Sequence, residues 1–172
     1  MKTLTIKKNS GVSFQDGWHE VIISKTSSGK YEGGNQTKYL DVYFDGYPDT
    51  LKMRIHEKYN KSTNEEFAVA NLFRYSNSGI KEVLEGTDGS MTIGIDDDPA
   101  NLVGNKVNVY FYKNQNGYTD ISEIIAPSIF KNELEEFDES GVERMKISSE
   151  ERIKKYINNK PTKEEGSDPW DS

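Results

Sequence analysis

Residues 38–59 carry two runs of alternating apolar and polar positions on either side of a Gly-Tyr-Pro-Asp turn. Leu40, Val42 and Phe44 alternate with Asp41, Tyr43 and Asp45; after the turn, Leu51, Met53 and Ile55 alternate with Lys52, Arg54 and His56. A period of two sends successive side chains to opposite faces of a strand, so the pair predicts a half-buried antiparallel hairpin. Its inner face supplies a core. Its outer face offers Tyr43, Lys52, Arg54 and His56 to solvent.

The same period recurs on both sides. In residues 17–25, His19, Val21 and Ile23 oppose Trp18, Glu20 and Ile22, and apolar groups on both faces predict a central strand. Upstream, residues 3–14 read as an edge strand or arm whose Phe14 packs down. Residues 27–38 are rich in Gly, Ser and Asn and predict a loop. The period then changes. Phe67, Ala70, Asn71 and Arg74 share one side and Ala68, Leu72 and Tyr75 the next, with Ser62 or Thr63 to cap, Glu65 or Glu66 in the first turn and Gly79 as terminator. That pattern predicts a helix over residues 64–77, with one further turn over 80–84. Residues 91–95 read as a short extra strand. Residues 106–112 alternate again, Asn116-Gly117 closes a hairpin, and a return strand over 118–126 stops at Pro127. Beyond lie an acid-rich stretch at 131–143, a short helix at 149–159 bearing Ile153, Tyr156 and Ile157, and an end with the composition of a disordered segment.

Three strands, a helix and two strands predict an all-β class, mainly β with one helix. Residues 1–130 are expected to form a five-stranded OB-fold-like barrel with the helix between strands 3 and 4. Residues 131–172 are expected to form an acidic C-terminal extension with a short helix and a disordered tip. An open five-stranded sheet covered by one helix would give the same order.

Composition narrows the function. The 172 residues suit one domain with a tail, and the absence of cysteine removes disulfides, thiolate zinc sites and thiol catalysis. No apolar run approaches about 18 residues, and the N-terminus lacks a signal-like apolar core, so a cytoplasmic protein without a membrane span is expected. Net charge is −7, which argues against coating nucleic acid through bulk charge. From Lys131 onward there are 12 acids and 8 bases, leaving the body near −3, so any nucleic-acid surface must be a local patch.

Candidate chemistry is sparse. The two histidines, His19 and His56, sit in no nucleophilic or metal motif, and the glycines form no phosphate cradle. Asp96, Asp97 and Asp98 are consecutive, so their side chains diverge, and Asp98-Pro99 reads as a cap or turn. No enzyme, no cofactor and no metal are expected; a magnesium nuclease built on Asp96 to Asp98 ranks last.

Aromatic and basic residues are more telling. Of ten tyrosines, Tyr39, Tyr43 and Tyr47 lie on or beside strands two and three with Lys52, Arg54 and His56. Tyr110, Tyr112, Lys113 and Tyr118 lie on the last hairpin, and Lys30, Tyr31 and Lys38 in the loop after strand one, where they could clamp a ligand. Bases stacking on such rings gain about 1–3 kcal/mol each while Lys and Arg follow the phosphates. Tyrosine also favours strands on its own account. The expected single-stranded nucleic-acid contacts are Tyr43, Lys52, Arg54, His56, Tyr110, Tyr112, Lys113, Lys30 and Tyr31. Asp41 and Asp45 flank Tyr43, so the phosphates are expected along strand three. In the tail, Asp168, Pro169, Trp170 and Asp171 place an aromatic among carboxylates, a composition suited to a partner's apolar pocket with a basic rim.

GWHEVIISK at 17–25, KYLDVYFDG at 38–46, the Phe-Ala-containing helix and NLVGNKVNVYFYKNQNGYTDISEIIAP at 101–127 together resemble a family of small single-stranded DNA-binding proteins of bacteriophages and prophages of Gram-positive hosts. Leu102-Val103-Gly104-Asn105-Lys106 is similar to that family's Leu-x-Gly-Lys before strand four, one residue longer. The resemblance implies an oligonucleotide-binding fold. It also implies binding of single-stranded DNA without strong sequence preference during phage DNA replication or recombination, in the host cytoplasm. The tail is similar in character to acidic tails that recruit replication and recombination proteins, although Asp171 and Ser172 follow the aromatic. The alternative is an OB-fold protein–protein interaction module of a phage with no nucleic-acid binding, which the net charge favours. Homo-oligomerisation is left open by the sequence.

Overall fold

The strand that begins at Gly17 runs further than its apolar pattern: β1 spans Gly17–Lys30 and is the centre of the sheet. In this computed structural model, which describes residues 1–5 and 14–159, β1 is joined by β2 (Lys38–Phe44), β3 (Met53–His56), α1 (Ala68–Tyr75), β4 (Ile80–Glu85), β5 (Met91–Ile95), β6 (Lys106–Lys113), β7 (Thr119–Ile121), β8 (Phe130–Lys131), β9 (Glu136–Phe137) and α2 (Glu139–Asn159). Five of the strands form one antiparallel sheet in the order β3-β2-β1-β6-β7.

β1 serves both halves of that sheet. Its first half pairs with β6, from Gly17↔Phe111 to Ile22↔Lys106. Its second half pairs with β2, from Ile23↔Phe44 to Lys30↔Lys38, and the register shifts between Ile23 and Lys25. An irregularity of this kind bends a strand and sharpens its twist. The sheet accordingly curls into a nearly closed barrel, OB-like in form. At the seam the backbone N–H of His56, ending β3, donates to Glu123 Oε1 at 3.0 Å, just beyond β7.

The inward positions predicted from the alternation fill the core: Val21, Ile23, Leu40, Val42, Phe44, Met53, Ile55, Val107, Val109 and Phe111 are buried. Leu72 and Phe73 of α1 and Leu102 complete it. Phe14 packs edge-on against Tyr47 and Phe111, as expected, while residues 6–13 of the expected edge strand or arm lie outside the described residues.

Several boundaries differ from expectation. The helix expected over 64–77 is only Ala68–Tyr75, because Asn64 takes a left-handed φ of 59° and Glu66 is drawn into a bridge with Tyr59. Glu66 then caps the helix from outside it, its carboxylate accepting the backbone N–H groups of Ala68, Val69 and Ala70 at 2.8–3.0 Å, and that of Lys58 at 2.9 Å. Residues 80–84 form strand β4, not a helical turn, paired with β5 across a Gly86–Ser90 turn. The return strand ends at Ile121; beyond it the chain meets β6 again through Ser122 N–H, which donates to the Tyr110 carbonyl at 2.9 Å, and through the bridge Asn108↔Ala126. Asp98 does cap the 3-10 turn Pro99–Leu102, accepting from Ala100 N at 3.0 Å.

The C-terminal region packs against the sheet. α2 begins ten residues before the helix expected at 149–159, with Asp138 Oδ1 accepting Gly141 N–H at 2.8 Å near its start. Ile153 is fully buried against Tyr110 and Ile124, with Trp18, Tyr112 and Ile157 around them. Arg74 holds Glu135 through two 2.8 Å bonds, tying the β8–β9 hairpin to α1. The expected disordered tip lies outside the described residues. Among the described residues no helix is long and apolar enough to cross a membrane.

Candidate nucleic-acid interface

The alternation that fills the core puts every second residue of β1, β2 and β3 on the outside of the barrel. Register aligns them in rows: Lys25 opposite Tyr43, Ser27 opposite Asp41 and Arg54 beyond it, Gly29 opposite Tyr39 and His56 beyond. Tyr39 and Tyr43 are each part-exposed on this surface. Gly29 has a steric role here. A Cβ at this position would fall 2.5 Å from Tyr39 ring atoms, so the ring can lie over the backbone only because the side chain is absent.

Each ring on this surface has a cation near its face. Lys25 Nζ lies 4.8 Å and Lys52 Nζ 5.8 Å from the Tyr43 centroid. The Arg54 guanidinium lies 3.8 Å from the centroid of Tyr39 and 5.8 Å from that of Tyr31. Tyr31 in turn stacks on His56 at 5.7 Å with the planes 15° apart.

Carboxylates fix these cations. Asp41 is buried and accepts from Arg54 Nε at 2.8 Å and Nη2 at 2.9 Å, with Lys52 Nζ at 3.5 Å. The Arg54 hydrogen bonds lower the Asp41 pKa against the opposing effect of burial, and the same pair raises that of Arg54. His56 Nδ1 meets Glu123 Oε2 at 3.1 Å and its Nε2 meets the Tyr31 hydroxyl at 3.0 Å. The Glu123 hydrogen bond pushes His56 up to about 9, against desolvation, so the imidazole is a cation at neutral pH. Burial raises the Tyr31 hydroxyl, but hydrogen bonds from His56 and Arg54 outweigh it and lower the pKa overall. Lys25 is held by Asp49 at 2.8 Å. The result is a set of aromatic faces edged by positively charged groups whose carboxylate partners lie beneath or beside them.

The expected contacts divide. Tyr43, Lys52, Arg54, His56 and Tyr31 come together on this face. Lys30 is the last residue of β1, not part of a loop clamp, and sits opposite Lys38 on the other parity. Tyr110 is 8% exposed, covered by α2 where an outward ring was expected, and lies 5.3 Å edge-on from Trp18. Tyr112 is half-buried and lines a cleft beside Lys52 and Arg54. Lys113 turns to the Phe14 carbonyl and to Asp16, so it ties the residues just before β1 to the end of β6. The tail residues Asp168, Pro169, Trp170 and Asp171 lie outside the described residues.

Lys25, Gly29, Tyr39, Asp41 and Glu123 complete the site. Tyr39 and Asp41 share the parity of Tyr43 and are readable from β2 alone. Gly29 joins only once β1 is known to continue to Lys30, and Lys25, which strict alternation from Ile23 would turn inward, joins only through the register shift between Ile23 and Lys25. Glu123 carries no local signal, since its role depends on closure of the barrel. No protein-family model matches the chain, and no curated protein matches it.

Proposed function

We propose that the chain is an OB-fold single-stranded DNA-binding protein, with α1 as the helix between the third and fourth barrel strands. The outer face of β1, β2 and β3 is its binding surface. The observation that supports this reading is the row of rings Tyr43, Tyr39 and Tyr31, each with a Lys, Arg or His cation against it. Stacking on rings tolerates any base, and the cations follow the backbone, so binding is without strong sequence preference across most of the strand. The phosphates run along Lys52 and Arg54 and displace part of the Asp41 contact as they do so. The protein acts in phage DNA replication or recombination in the host cytoplasm, and the acidic segment with Asp168, Pro169, Trp170 and Asp171 recruits partner proteins.

A fluorescence anisotropy titration with labelled oligo-dT tests the reading. Binding at low salt is expected, weakening with a log–log slope of about −0.7 per phosphate contacted. Tyr43→Ala is expected to lose about fivefold or more in affinity. Absence of binding at low salt sinks it. The pairing of Arg54, Lys25 and His56 with carboxylates favours one second reading, a protein–protein interaction module. Under that reading the oligo-dT titration is flat while Tyr43→Ala abolishes capture of a protein partner.

A further inference from the structure

A cleft of about 230 Å³ opens between the sheet and α2, next to the ring-and-cation face. Three kinds of chemistry line it. Lys52 and Arg54 are shared with that face; Tyr112 of β6 and Tyr156 of α2 are aromatic; Asp120 of β7 and Glu123 beyond it are carboxylates. Glu123 is engaged by His56. Asp120 accepts one hydrogen bond among the described residues, from Asn114 Nδ2 to Oδ2 at 3.2 Å. Burial raises the pKa of the Tyr112 hydroxyl, which therefore stays a donor throughout the ordinary pH range.

The volume is below the roughly 300–1,000 Å³ typical of sites for drug-sized ligands and suits one planar ring system. A carboxylate at its lining selects among bases by hydrogen-bond pattern. Guanine alone presents two adjacent donors, N1–H and the 2-amino group, on its Watson–Crick edge. Adenine and cytosine offer one amino donor beside an acceptor, and thymine one imide N–H between two carbonyls. A carboxylate facing any of those three meets a lone pair as well as a donor. Guanine's O6, beside N1–H, accepts from a phenol such as Tyr112. Bases turned out of a strand are commonly held in this way, by hydrogen bonds to the Watson–Crick edge and contact with aromatic side chains.

We propose that this cleft takes the base of one guanine nucleotide, read by Asp120, with Lys52 and Arg54 meeting its phosphate. The inference rests on the single-strand reading for its position along a bound strand, and it adds one point of base preference to an otherwise tolerant surface. The guanine belongs either to the strand or to a free nucleotide.

The test compares full-length protein binding to a labelled oligo-dT with binding to the same oligomer carrying one central dG, dA or dC. The dG substitution is expected to tighten binding about tenfold, whereas dA and dC are not. In Asp120→Asn the dG and all-dT oligomers should become equal. Competition by free dGMP but not dTMP assigns the cleft to free nucleotide as well; a dG preference that dGMP does not compete assigns it to the strand. Equal affinity for all four oligomers in the wild-type protein overturns the guanine site and leaves the single-strand reading standing. If no oligomer binds at low salt, the single-strand reading falls; a direct calorimetric titration with dGMP then decides the cleft, and no heat in the wild-type protein overturns it too.

Discussion

The guanidinium of Arg54 lies 3.8 Å from the centroid of the Tyr39 ring while Asp41 holds two of its nitrogens. One side chain is thus fixed by a planar ion pair and a ring face together. An ammonium can reproduce the charge but neither the two-point bond nor the planar contact. Arg54→Lys is therefore expected to weaken oligo-dT binding about tenfold in an anisotropy titration, with little change in thermal midpoint because the group is partly exposed. A Lys variant that binds as tightly as the wild type would show that charge alone suffices there.

Gly29 and Tyr39 are coupled through space. The Cβ of Gly29→Ala would meet the ring at 2.5 Å, so either the ring moves or the strands separate locally. A loss of about 1–3 kcal/mol in urea unfolding is expected, as for other overpacked sites. Tyr39→Ala in the same molecule should recover most of the increment due to the alanine. Additive losses in that double-mutant cycle would place the strain elsewhere.

Stability should depend on pH through the barrel seam. The His56 pKa in the folded protein is raised to about 9 from 6.5, first by its hydrogen bond to Glu123. A raised value means that the folded state holds the proton more tightly, so the contribution is full below about pH 6.5 and is lost as pH rises through about 9. Its size is on the order of 2–3 kcal/mol. Urea midpoints should fall between about pH 6 and about pH 9.5, and His56→Gln should flatten that decline. An equal decline in the variant would assign it to other groups.

Glu66 joins the end of the β3 segment to the start of α1, since one carboxylate accepts N–H groups from Lys58 and from three residues of the helix. Glu66→Ala leaves four backbone donors to find water or strain. A loss of about 2 kcal/mol is expected, more than an ordinary cap substitution. Hydrogen exchange at Ala68, Val69 and Ala70 should accelerate in the variant; unchanged protection there would mean that the helix is held by Leu72 and Phe73 alone.

The β2–β3 hairpin and β6 were readable because aliphatic or Phe side chains alternate with polar or Tyr ones along each, although in β6 the second face is buried as well, beneath α2. β1 past Lys25 was not, since Thr26, Ser27, Ser28 and Gly29 have loop composition and gain their strand conformation from pairing with β2. Ile80, Val83 and Leu84 have helical spacing, yet Gly86 and Asp88 turn the chain back and make a hairpin of it. The polar first half of α2 shows only Val142 buried, too weak a stripe to extend the helix from sequence. The same blindness affected the site. Parity placed Tyr43, Lys52, Arg54 and His56 on one face, but the covering of Tyr110 depends on α2 and the turning of Lys113 on Phe14 and Asp16, contacts remote in sequence.

The double allegiance of β1 has a consequence for how the barrel assembles. Its second half finds β2 close by along the chain, so a β1–β2–β3 meander can form from local closure alone. Its first half has no neighbour until β6 arrives, with Gly17 waiting for Phe111. Pairings so distant in sequence are slow, because the loop must close before any contact rewards it. On a ribosome, the ring-bearing surface would thus take shape early, while the far side of the same strand stays an open edge until nearly two-thirds of the chain has emerged.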